Sequence, residues 1–117
     1  MSDLHGTGKK GEELAVNYLI ALGFEILHRN WRHKRAEIDI IAGKDGVVHI
    51  IEVKTRTTLE FGYPEESVGY RKLKMLTAAG AAFLYKNPGW KLIQYDVLSI
   101  LLTDEQPEFL LLSDVDL

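Results

Sequence analysis

The chain has 117 residues, of which 46% are hydrophobic and 26% charged, with a formal net charge of −3 and no cysteine. Those values describe one globular domain and exclude disordered and fibrous classes. The missing cysteine excludes disulfide frameworks, thiolate zinc sites and cysteine nucleophiles, and suits a reducing cytosol. Residues 1–11 hold no apolar core of signal-peptide length, and no run approaches the roughly 18 residues of a membrane span. The reading is a soluble, cytoplasmic protein with no membrane partner.

The net charge hides an asymmetry. Asp104, Glu105, Glu108, Asp114 and Asp116 put five acids and no base into 103–117, which leaves 12 acids against 14 bases in 1–102, a balance of +2. Residues 103–117 read as an acidic C-terminal segment with a last strand, inside a single domain of 1–117. Within the basic part, Arg29, Arg32, Lys34 and Arg35 form a run with His28 and His33 among them and Trp31 interleaved. A local patch, more than the total charge, sets the field a ligand meets. A charged loop that keeps the surface soluble has the same composition.

Leu14, Ala15, Tyr18, Leu19 and Leu22 recur at helical spacing, which predicts an amphipathic helix over residues 8–22 with Gly23 as its stop. At about 100° per residue, Glu12 lies on the flank of the apolar stripe while Glu13 points away. Glu12 therefore faces the body of the protein, although a first-turn acid also complements the helix dipole without further purpose. Residues 24–31 read as a first strand and 37–42 as a second, rich in isoleucine. Gly43-Lys44-Asp45-Gly46 is a turn signal, followed by a third strand over 47–55.

A hairpin centred between Lys44 and Asp45 pairs Ala42 with Val47, and hence Asp39 with Ile50. Opposed residues share a face, so this register predicts Glu37, Asp39, Glu52 and Lys54 on one face with Ile41, Val48 and Ile50. The other face becomes Ile38, Ile40, Ile51 and Val53. A one-residue slip separates Asp39 from Glu52.

Residues 57–66 read as a loop, leading into a helix from about residue 64 or 65 to residue 85. Val68, Leu76, Ala79 and Phe83 form its inward stripe, with Lys72 on the same line near the N-terminal end and Arg71 and Lys74 elsewhere. Lys72 either reaches over the carboxylates to a phosphate or snorkels at the rim of the core. Asn87-Pro88-Gly89 ends the helix. Residues 92–102 and 109–112 then read as two strands about a turn at 104–107. The order is α-β-β-β-α-β-β, an α/β fold.

Ile50-Ile51-Glu52-Val53-Lys54 carries a carboxylate and an ammonium on one face, roughly 7 Å apart along the strand. Taken alone, E-x-K also describes a solvated strand face or edge. Asp39, in the neighbouring apolar run, adds a second acid. Two carboxylates a few ångströms apart repel unless a cation sits between them. Magnesium is the hard cation that takes oxygen ligands, keeps several waters and is held by one or two carboxylates plus substrate phosphate. Asp39 and Glu52 match that demand, and Lys54 beside them is placed to orient a water or stabilise developing charge. His5, His28, His33 and His49 are scattered and read as surface or structural residues.

Residues 8–22, Arg29-Asn30-Trp31-Arg32, Glu37-Ile38-Asp39, Glu52-Val53-Lys54-Thr55-Arg56, Phe61-Gly62, Arg71-Lys72 and Tyr95-Asp96-Val97 together resemble the bacterial YraN-like family. That family is similar to restriction-endonuclease-like nucleases of the Holliday-junction-resolvase type, with an acidic residue followed by D…E-x-K. The resemblance covers about residues 8–100 and implies a central mixed β-sheet flanked by helices. It also implies that Asp39 and Glu52 bind Mg2+ (or Mn2+), that Lys54 sits by the nucleophilic water, and that Glu12 assists from the first helix. Two departures stand out: Ala36 where the family usually has glycine, and Gln94 where an arginine commonly precedes the aromatic-Asp pair. The second weakens a phosphate contact from the late strand, and Asp96 reads as structural or as a support behind the site.

The resulting expectation is a metal-dependent endonuclease acting on structured or branched DNA. Arg29, Arg32, Lys34, Arg35, Arg56, Arg71 and Lys72 are the expected nucleic-acid contacts, and a homodimer is implied by the resolvase resemblance alone. The alternative is a noncatalytic nucleic-acid-binding module on the same fold. A third reading is an interaction protein with apolar edges and an acidic tail.

Overall fold

The computed structural model describes residues 3–57 and 70–115, with side chains over 10–57 and 74–115. Helix α1 (Asp3–Ala21) precedes strands β1 (Glu25–His33), β2 (Ala36–Lys44) and β3 (Val47–Arg56); helix α2 (Tyr70–Lys86) and strands β4 (Leu92–Leu101) and β5 (Glu108–Leu112) follow. This is the order expected from the sequence. Phe61-Gly62, Val68, most of the expected 57–66 loop and the expected start of the second helix lie outside the described residues. The strands form one mixed sheet in the order β1-β2-β3-β4-β5. Only β3 and β4 run parallel, and a parallel pair needs a crossover, to which α2 belongs.

Each helix covers one side. Ala15 and Leu19 of α1 are fully buried against Phe24, Ile40, Ala42, Ile51, Leu98 and Ile100. Leu76, Ala79 and Phe83 of α2 bury Ala36, Ile38, Ile41, Val48 and Ile50 on the other side. Gly23, at φ 97°, closes α1 in the left-handed region that glycine enters without a Cβ penalty. Its N–H bonds Ile20 O and the Phe24 N–H reaches back to Leu19 O, both at 3.0 Å, which satisfies the last carbonyls as Phe24 enters the core.

Gly11 brings α1 close to β3. A Cβ at Gly11 would lie 1.9 Å from Thr55 Oγ1. Helix propensity alone favours Gly11→Ala by about 1 kcal/mol. The clash opposes it, and a net loss of about 1–3 kcal/mol is the expected result of urea denaturation. Adding Thr55→Ala should restore part of that loss, and a more stable single variant would disprove the close approach.

Two expectations need correction. In the β2–β3 hairpin Lys44 pairs with Val47, Ala42 with His49 and Ile41 with Ile50, so the turn is centred on Asp45-Gly46, two residues from its predicted place in pairing register. Asp45 and Gly46 have φ 52° and 79°, the two left-handed positions that an Asp-Gly turn supplies. Gly43 goes into the strand, where Trp90 lies over it so closely that a Cβ would meet Trp90 Cη2 at 2.5 Å. A shift of two keeps every β3 side chain on its predicted face.

The second correction concerns β2. Ile38 packs on the α2 side with Ile41, while Ile40 packs on the α1 side, so Ile38 and Ile40 do not share a face. Its partner β1 breaks phase in the same place: His28 and Trp31, three apart, both meet the Phe83 ring, each at 5.6 Å. Between them Asn30 has φ 53°, a left-handed conformation that asparagine tolerates better than most residues. The extra rotation puts β1 and β2 out of phase beyond this point. Glu37 consequently lies on the α1 side, paired with its cross-strand neighbour Arg32 at 3.1 Å, and leaves the predicted four-residue patch.

Candidate active site at a fork in the sheet

The β2–β3 ladder stops at Ile40 and Ile51. The β1–β2 ladder continues to His33 and Ala36, and the β3–β4 ladder to Arg56 and Leu101. The sheet therefore splits into two prongs, and Asp39 and Glu52 are the next residues in line beyond the last shared rung. The corrected register sharpens the sequence reading, which set Asp39 against Ile50. The Asp39 carboxylate takes the place of the missing rung: its Oδ2 accepts the Val53 N–H at 2.8 Å. A carboxylate accepting a backbone N–H in this way is held in the seam between the strands.

Glu52 is 5% exposed and shares the phase of Val48 and Ile50, which face α2. Lys54 continues that face, with Nζ 3.6 Å from Glu52 Oε1. Arg56 follows at the same phase, its Nε buried and without a hydrogen-bond partner among the described residues. Glu52, Lys54 and Arg56 thus line one prong in the order acid, base, base.

Glu12 approaches the kink from the α1 side. Its Oε1 accepts hydrogen bonds from Arg29 Nε at 3.1 Å, Arg29 Nη2 at 3.0 Å and Asn30 Nδ2 at 2.9 Å. Asn30 occupies the position facing Asp39 between the Arg29–Ile40 and Trp31–Ile38 pairs. Glu12 therefore supports the left-handed residue behind Asp39. Asn30 was missed in the sequence, where its neighbours' charges were the only signal.

The expected cationic residues divide. Arg29 also bonds Glu13, and its hydrogen bonds with Glu13 and then Glu12 raise its pKa above the ordinary arginine value. Shared by two carboxylates, its charge is largely answered within the protein. Arg32 pairs with Glu37 and is 77% exposed. Lys34 and Arg35 form the exposed tip of the β1–β2 prong, with Lys34 at φ 56°. The side chains of Arg71 and Lys72 lie outside the described residues.

A second polar cluster joins residues far apart in sequence. The side chain of Asp96, fully buried, lies with Oδ2 2.7 Å from His49 Nδ1. Its Oδ1 accepts from Gln94 Nε2 at 2.9 Å and from the Asp114 N–H at 2.8 Å. Asp96 thereby fastens the segment after β5 to the centre of the sheet, in line with the structural role read for it. Gln94 serves this fastening.

Among the described residues no three His, Asp or Glu side chains come together as a metal cage. No helix among them is long and apolar enough to cross a membrane.

The model of the uncharacterised protein family UPF0102 matches residues 11–100 of the chain. A UPF0102 protein of Chlorobium phaeobacteroides is 40% identical over 116 residues, covering 98% of this chain and 91% of the relative. One of Chlorobaculum parvum is 45% identical over 95 residues, 80% of this chain and 74% of its own. One of Clostridioides difficile is 39% identical over 100 residues, with 85% and 88% covered.

Proposed function

The chain belongs to the UPF0102 family, the YraN-like family its motifs resemble, and from its split sheet we propose metal-dependent hydrolysis of phosphodiester bonds in structured or branched DNA. The observation that carries this reading is the fork, where Asp39 and Glu52 stand next in line across two diverging strands with the Lys54 ammonium beside Glu52. A split in a sheet is a natural ligand entrance, because backbone groups and side chains there are released from the ladder.

The residues fit a magnesium ion, or manganese in its place. A pair of carboxylates suits an ion that keeps waters and completes its shell with substrate phosphate. Held by Asp39 and Glu52, such an ion would supply Lewis acidity toward a phosphate oxygen and an activated water. Asp39 is oriented by the Val53 N–H. Glu52 is kept rigid by burial, so its carboxylate needs little reorganisation. The Lys54 ammonium, 3.6 Å from Glu52 Oε1, would stabilise the negative charge that grows on a phosphoryl group held there, more in the transition state than in the ground state. Arg56, Lys34 and Arg35 bind flanking phosphates as charge-assisted donors. Glu12 acts through Asn30 to hold the kink that presents Asp39.

The test is incubation of the purified protein with branched, duplex and single-stranded DNA, with and without magnesium or manganese. Cleavage that requires the metal supports the reading. Salt-sensitive binding with no cleavage of any substrate favours the noncatalytic module. Asp39→Asn should abolish magnesium binding in titration calorimetry while the far-UV spectrum stays unchanged. Undiminished magnesium affinity in that variant would remove Asp39 from the site.

A further inference from the structure

The β1–β2 prong carries a pocket of its own. A cavity of about 350 Å³ opens between the hairpin tip and α2, lined by His33, Lys34, Arg35, Ala36, Met75 and Ala78. We propose that this pocket binds one unpaired nucleotide of a DNA strand lying across the fork, a role that rests on the DNA reading above and gives it a preference for unpaired regions.

The lining has three parts, and each matches a part of a nucleotide. Ala36, Met75 and Ala78 make an apolar wall against which a base loses water, and the methionine thioether is a soft contact for an aromatic ring. His33 supplies a planar face backed by the parallel Trp31 ring, 7° away in plane and 6.3 Å between centroids. Trp31 is itself held edge-on by Phe83 of the core at 5.6 Å. An imidazole supported in this way is pre-ordered for stacking, which is how proteins hold unpaired bases with little regard to sequence. Lys34 and Arg35, both exposed, put two cations at the rim for the phosphates on either side of the base.

Size and charge narrow the ligand further. The volume lies near the lower end for small-molecule pockets, enough for one nucleotide and far too little for a duplex. Among the described residues no acid lines the pocket, while Lys34 and Arg35 give it a cationic rim suited to an anion, and the aromatic face and apolar wall exceed what a bare phosphate would use. Ala36, Ile38 and α2 are on the same side of the sheet as Glu52 and Lys54, and the pocket lies beyond the fork on the neighbouring prong. A strand crossing between the prongs can therefore present a phosphodiester to Asp39 and Glu52 while an unpaired base enters the pocket. Paired bases are kept from it by their partners. This would direct the site to junctions and single-stranded segments.

Two arms separate a nucleotide held within a strand from a free one. In the first, the parent and Ala78→Trp, a change at an exposed helix position that fills the pocket, are compared for binding of single-stranded and duplex DNA of equal length. The expected result is a loss of about tenfold in single-strand affinity, within the range of one stacked base, with duplex affinity unchanged. Equal loss on both, or none, overturns the proposal. In the second arm, dAMP is titrated into the parent while the Met75 methyl and Ala78 NMR signals are followed. Saturable shifts at both residues in the parent, with the Met75 shift lost in Ala78→Trp, support the pocket. Shifts elsewhere only, or none at millimolar dAMP, overturn it. The dAMP arm is independent of cleavage: a pocket that binds dAMP in a protein that never cuts DNA sinks the hydrolase reading alone, and metal-dependent cutting with an inert pocket sinks this inference alone.

Discussion

Lys54→Ala is expected to lower the rate of DNA cleavage by about 10²–10³-fold, the usual effect of removing one preorganised group from developing negative charge. Affinity for the same DNA should change little, because one ammonium among several phosphate-binding cations contributes little to ground-state binding. The distinction matters because Lys54 is also the ion-pair partner of a buried carboxylate. A purely structural role predicts that Lys54→Ala destabilises the fold. A catalytic role predicts a lower kcat with the melting temperature within a few degrees of the parent. Lys54→Arg keeps the charge but replaces a compact ammonium with a planar fork, and should recover only part of the rate. Unchanged cleavage by a folded Lys54→Ala protein would refute the assignment.

The second large effect is on stability. Asp96→Ala is expected to cost about 3 kcal/mol or more, since three donors lose their acceptor and a buried unsatisfied group typically costs about 1–3 kcal/mol. His49 is the most enclosed of the three, at 10% side-chain exposure, and carries the largest share. Gln94 and the Asp114 N–H can turn to water at lower cost. Against a total stability of roughly 5–15 kcal/mol for a domain of this size, the loss should be plain in a urea titration. Asp96→Asn retains an acceptor and should lose about half as much. Hydrogen exchange locates the effect: the Asp114 and Val115 amides, which bond Asp96 Oδ1 and Tyr95 O, should lose protection first. A loss below about 1 kcal/mol in Asp96→Ala would show that the cluster is not a fastening.

The residues behind the two expected effects lie on opposite sides of one sheet. Glu52 and Lys54 face α2, whereas His49 and Asp96 fall on the α1 side, where His49 meets the Phe24 ring edge-on at 4.9 Å. Glu52, Lys54 and His49 all come from β3, where alternation sends successive residues to opposite sides, and Asp96 meets His49 from the neighbouring β4. β3 thus carries Glu52 and Lys54 on one side and the His49 partner of Asp96 on the other. The cluster stiffens β3 and β4, and the fork opens on the prong they form.

Much of this was legible in the sequence for local reasons. The apolar spacing of Leu14, Ala15, Tyr18 and Leu19 makes a helix, and Gly23 ends it, whatever the rest of the chain does. Glu52 and Lys54 share a face because they are two apart in a strand, and no tertiary contact can alter that without a bulge. The hairpin itself was also local, since 43–46 contains the only residues nearby able to reverse the chain. Its register was not. Lys44-Asp45 and Asp45-Gly46 are both short enough, and the choice followed from left-handed angles at Asp45 and Gly46 together with Trp90, 44 residues beyond Gly46, closing over Gly43.

The kink lay further from view. Nothing in Ile38-Asp39-Ile40 announces that the two isoleucines face opposite sides, because the cause is Asn30 on another strand, braced by Glu12 on a helix. His49 and Asp96 likewise meet across 47 residues, on parallel strands whose alignment depends on the crossover between them. What the sequence determined by itself was the set of elements and the side-chain phase within each regular strand, because both depend on neighbours a few bonds away. Only the tertiary structure decided the phase break, the split between β2 and β3 and the seating of the Asp39 carboxylate on the Val53 N–H, because those depend on which backbone groups find partners once the strands and helices compete for the same core.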